Sequence, residues 1–173
     1  MARLLAAVLT SMLLFAAVPA AAQEAGGEAP VEEVTEEPTP VECANPDGLE
    51  VITTEGLTTD IATPTFDGSG SEYKEFLVDL GAYSLDATAP VDVSMTWGIL
   101  LNDYDLAAFS AKSSGLSENY QPFDPAEENV RLDVVRHCEV IEAEAINFLA
   151  PIDLDSLELT FAVGTVTEPP AAQ

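Results

Sequence analysis

Positive charge is what this sequence has least of: five Lys and Arg and one His stand against 31 Asp and Glu in 173 residues, a formal net charge of −26. Binding to DNA, RNA or an anionic membrane draws its affinity largely from Lys and Arg on phosphates, so those partners are excluded as expectations. The acidity itself fits attraction for cations or basic partners, but equally solubility or a saline habitat. Histidine is nearly absent as well. Zinc and copper sites need several His or Cys ligands, and a hydrolase triad would have to run through His137 alone. There is no Gly-x-Ser-x-Gly elbow, no glycine-rich phosphate loop and no Asn-x-Ser/Thr acceptor, and nothing singles out a carboxylate pair for glycoside cleavage. The chain is therefore expected not to be an enzyme, and no catalytic residue is assigned.

What is present begins at the N-terminus. After Arg3 an apolar run to Val18, broken only by Thr10 and Ser11, closes on Ala20-Ala21-Ala22. This is the layout of a secretory signal, residues 1–22, with cleavage after Ala22. The run is shorter than the roughly 20 residues of a spanning helix and has no charge cluster on its exit flank, so membrane insertion is not expected. No Cys sits at the cleavage point to carry lipid, and Arg3 has no twin for a twin-Arg signal. The expected destination is free solution outside the cell, with the periplasm as the alternative.

In that setting the two cysteines, Cys43 and Cys138, are expected to form a disulfide, the other possibility being two reduced thiols. Residues 23–42 hold seven Glu and three Pro, with no Lys, Arg or aromatic residue, and read as a disordered acidic spacer. Residues 165–173 read as a flexible tail. Between them, residues 43–164 read as an all-β, jelly-roll-like sandwich of about eight strands. The clearest alternations are Phe76, Val78, Leu80; Val91, Val93, Met95, Trp97; Val130, Leu132, Val134; and Leu157, Leu159, Phe161, Val163. Weaker candidates are 49–54, 58–63, 104–109 and 138–148. Glu142 to Ile146 also has helical propensity; a strand there would align Ile141, Ala143 and Ala145, with residues 147–151 turning into the last strand.

Taken in order, Tyr73 to Val78, Val91 to Trp97, Asp103-Tyr104-Asp105-Leu106, Glu128-Asn129-Val130, Ile146-Asn147-Phe148 and Leu157 to Val163 resemble the bacterial pre-peptidase C-terminal domain family. Those domains are jelly-roll-like sandwiches, usually attached to secreted peptidases and similar to collagen- and carbohydrate-binding modules. The chain departs from the family at Ala107-Ala108-Phe109, where Asp, Leu and Tyr usually continue to alternate, and no peptidase domain precedes the module. The resemblance implies a free-standing, non-catalytic module.

Three functions are weighed. The first is a secreted binding or accessory module for extracellular protein or polysaccharide. Loop aromatics would supply its contacts, Tyr120 and Phe123 foremost and Tyr83 and Tyr104 beside them, while Trp97 is assigned to the core. The second is a calcium-dependent structural or adhesive domain. Calcium takes carboxylates and carbonyls on loops, and the candidates are Asp67, Asp103, Asp105, Asp153 and Asp155, although no full twelve-residue calcium loop is present. A hydrolase stands last. No cofactor other than calcium is considered.

Overall fold

The computed structural model describes residues 39–65, 70–117, 126–149 and 155–170. Among them nine strands form: β1 Glu50–Thr53, β2 Leu57–Ile61, β3 Ser71–Asp79, β4 Thr88–Trp97, β5 Asp103–Phe109, β6 Ser114–Ser117, β7 Glu127–Arg136, β8 Val140–Leu149 and β9 Leu157–Val163. They make a five-stranded sheet in the order β1-β3-β8-β5-β6 and a four-stranded sheet in the order β2-β9-β4-β7. From β3 onward the chain changes sheet at every connection except β5 to β6, which is how period-2 segments joined by short turns wrap one shared core. The all-β sandwich is thus the observed fold, with nine strands in place of about eight.

The inward faces follow the alternation. Phe76, Val78, Val91, Val93, Met95, Leu132, Leu159 and Phe161 are all at most 1% exposed. Two aromatic contacts tie the sheets together: Phe76 of β3 meets Phe161 of β9 with centroids 4.5 Å apart, and Trp97 of β4 meets the ring of Tyr104 of β5 edge-on at 5.5 Å. Gly56, at φ +88°, lets the chain leave β1 for β2 in the other sheet; a Cβ there would lie 2.5 Å from the Phe161 carbonyl oxygen.

Several expectations need correction. Val134 does not continue the inward set of β7, because Val135 does. Ala89 pairs with Val135 and Val91 with Leu132, so two residues, Asp133 and Val134, face Pro90 in a bulge. Pro90 has no N–H to offer the ladder, so a break in pairing costs least there. Strand β6 was not expected at all. Its Gly115 sits where a Cβ would come within 2.6 Å of Val130 Cγ1, so only glycine lets β6 lie this close over β7. Strand β8 runs through the expected turn at 147–149, with Ile141, Ala143 and Ala145 inward as the strand alternative required. The ends of the domain are also more firmly held than a spacer and a tail would be. The Val41 amide donates to the Tyr83 carbonyl, Thr167 exchanges two backbone hydrogen bonds with Thr88, and the Glu168 carboxylate accepts from the Ser84 amide and hydroxyl. Residues 1–38, which hold the expected signal and most of the spacer, lie outside the described residues.

Candidate binding face

The β7–β8 turn carries the sequence's one histidine and one of its two cysteines. Cys138 takes a left-handed conformation, φ 62°, and is joined to Cys43 by the expected disulfide across 95 residues. Beside it His137 is 2% exposed. Its Nδ1 accepts from the Leu80 amide at 3.1 Å and its Nε2 donates to the Val41 carbonyl at 2.8 Å, which defines the neutral Nε2–H tautomer. Disulfide and imidazole together fasten the incoming chain to the end of β3. Cys43, His137 and Cys138 are also the only group of three His, Cys, Asp or Glu ligand atoms within 4.8 Å of one another among the described residues, and the two sulfurs are spent on each other.

Three of the five calcium candidates lie among the described residues. Asp67 and Asp153 lie outside the described residues, and Asp103, Asp105 and Asp155 do not form such a group. The Asp155 carboxylate is occupied: it accepts from the amides of Gly98, Ile99 and Ser156 and from Asn102 Nδ2, clamping the β4–β5 turn. Asp103 is 7% exposed, and its Oδ2 has no hydrogen-bond partner among the described residues. Burial, and after it the charge of Glu128, hold the Asp103 carboxyl above the usual aspartate range. Glu128 itself projects inward from β7, 1% exposed, and accepts from the Ser117 hydroxyl of β6.

The aromatic candidates fare differently. Tyr120 and Phe123 lie outside the described residues. Tyr104 is fully buried, its hydroxyl accepting from Asn102 Nδ2, so it cannot stack on a ligand; Tyr83 is half-buried against the core. Its place in the alternation with Leu106 and Ala108 assigns Tyr104 to the inside. Trp97 packs on the core as assigned.

Of the exposed apolar side chains, Tyr73, Phe109, Leu116 and Val140 stand on the outer face of the five-stranded sheet, while Leu85, Leu100 and Leu101 lie in connections and Val134 lies on β7. Strand register aligns Tyr73, Glu144, Ala107 and Leu116 in one row across β3, β8, β5 and β6, and Glu75, Glu142, Phe109 and Ser114 in the next. Leu77 lies between Val51 and Val140 in the row beyond. Tyr73 is 67% exposed and Leu116 53%, with Val140 and Phe109 also exposed. Glu75 faces Glu142 directly across the ladder, and Glu144 follows Glu142 on the same face. Neither Lys74, which pairs with Glu50, nor Arg131, which pairs with Asp92 and Asp133, answers them. Directly opposed like charges destabilise a sheet, so this arrangement is not explained by stability.

No family model matches the sequence, and no curated protein matches it. Among solved structures the chain is similar to the pre-peptidase C-terminal domain of collagenase from Bacillus anthracis. Identity is 10%, the match covers 70% of this chain and 99% of that one, and the TM-score is 0.38. This is the family that the strand motifs resemble. At that identity and TM-score, nothing of what the collagenase domain does is carried over to this chain.

Proposed function

We propose that the chain is an exported, non-catalytic accessory domain that binds an extracellular protein or polysaccharide through the outer face of its five-stranded sheet. The observation that carries this reading is the set of exposed apolar side chains, Tyr73, Phe109, Leu116 and Val140, on one continuous face spanning β3, β8, β5 and β6. Large apolar groups gathered on one solvent face mark interaction surfaces more often than scattered ones do. A non-catalytic role is supported by His137, whose two ring nitrogens are both taken by backbone groups. The disulfide supports an oxidising destination.

Cosedimentation with fibrillar collagen and with insoluble polysaccharides tests the reading. Binding to one of them that Tyr73→Ser and Phe109→Ser abolish, with the melting temperature unchanged, is the expected result. Binding that both variants leave intact, or none to any matrix, overturns it.

A second reading, calcium dependence, is favoured by one observation: the unpartnered, buried Oδ2 of Asp103 beside Glu128. Calcium bound there would raise the melting temperature by mass action, and Asp103→Asn would remove the rise. No difference between calcium and EDTA would retire this reading.

A further inference from the structure

We infer that the partner of this face is a protein segment that presents Lys or Arg side chains beside aliphatic ones on a single side. The inference rests on the binding-face reading and deepens it. Residues directly opposite in an antiparallel pair have Cβ atoms about 5 Å apart, and residues i and i+2 of one strand lie roughly 7 Å apart on one face. Glu75, Glu142 and Glu144 therefore form a compact triangle of carboxylates, rimmed by Tyr73 and Phe109 and continued by Leu116. A partner must cover apolar surface and meet negative charge on the same patch of sheet.

That requirement eliminates the other occupants. A second copy of the chain would set carboxylates against carboxylates on a molecule of net charge −26, and the segment 23–42 carries the same sign. Neutral polysaccharide offers no positive charge to the triangle, and anionic polysaccharide is repelled. An extended segment that places cations and aliphatic side chains in turn at every second position presents both kinds on the side facing the sheet and satisfies both demands. Long-range attraction by the acidic domain would also speed its encounter, an effect that salt weakens.

The test uses the full mature domain and two synthetic probes: a ten-residue peptide in which Lys and Val take turns at every second position with Thr between them, and the same peptide with its lysines acetylated. Titration calorimetry at low and at physiological salt is run on the wild type and three variants, each checked for an unchanged melting profile. The triple variant Glu75→Gln, Glu142→Gln, Glu144→Gln should weaken the lysine peptide by about 10-fold or more, as should Tyr73→Ser with Phe109→Ser. Asp60→Asn, Glu127→Gln, Glu158→Gln removes the same charge from the outer face of the other sheet and should change affinity by less than about 3-fold. Equal losses from the two triple variants would reveal unspecific charge attraction and overturn the inference. If the acetylated peptide binds as tightly as the lysine form and still needs Tyr73 and Phe109, the inference fails while the binding-face reading stands. If the tyrosine and phenylalanine variants bind both peptides like the wild type, the face itself is refuted.

Discussion

The two sheets turn chemically different faces to solvent. On the four-stranded sheet one row runs Thr58, Thr160, Ser94, Asn129, with the two threonine hydroxyls 3.3 Å apart and the Ser94 hydroxyl donating to Asn129 Oδ1. Beside it Arg131 lies opposite Asp92 and bonds both its oxygens, at 2.8 and 2.9 Å. The next row sets Asp60 opposite Glu158, so opposed acids occur on this face too, but large exposed apolar groups do not gather on it. The five-stranded sheet leaves tyrosine, phenylalanine and leucine in water and sets glutamate against glutamate. A face that spends stability without internal return is where a binding role is to be sought, because selection for function tolerates such local costs.

Removing the disulfide is the largest perturbation expected. Replacing Cys43 and Cys138 by Ser frees a 95-residue loop and should lower unfolding free energy by about 4–5 kcal/mol in the chain-entropy account, measured by urea titration. The staple holds the incoming chain and not the binding face, so the variant, while folded, should bind the lysine peptide like the wild type. Lost affinity in the folded variant would show that the two regions are not independent.

Asp103→Asn gives a pH-dependent effect. The folded-state pKa of Asp103 is raised, so between the ordinary aspartate value and that raised value the folded chain keeps a proton that the unfolded chain has released. Stability from this group is fully present below the unfolded pKa and is lost as pH rises through the folded one. The asparagine variant should therefore melt higher than the wild type at neutral pH and equally at pH values below the ordinary aspartate range. A lower melting temperature at neutral pH would mean that the charged carboxylate is held by something favourable, such as a bound cation. On the four-stranded face, Arg131→Ala breaks exposed ion pairs and should lower the melting temperature least of these variants, with no change in peptide affinity.

Much of the scaffold is legible in the sequence because alternation is a local signal. Val91 to Met95 and Leu157 to Phe161 announce which side is inward without knowledge of any neighbour. The same periodicity assigned Ile141, Ala143 and Ala145 correctly against the helical propensity of Glu142 to Ile146. Failures arise where a second strand decides. Val134 yields to Val135 because Pro90 lies across the ladder, and Ser114–Ser117 is a strand only because glycine lets it approach Val130. The proposed binding face was illegible for the same reason. Tyr73, Phe109 and Leu116 come from three strands, and each reads singly as an isolated apolar residue on a polar side. Register alone brings them together. The search for loop aromatics looked away from the sheet, although Tyr73 and Val140, set among Glu75, Glu142 and Glu144, were the available signal.

Glu142→Lys tests the contrast between the faces most directly. It replaces the charge facing Glu75 with its opposite, on the face said to be arranged for a partner and not for stability. Paired measurement of unfolding free energy and lysine-peptide affinity should show a gain of about 0.2–1 kcal/mol in stability together with a loss of binding. A variant that is less stable than the wild type, or one that binds the peptide equally well, would contradict the account.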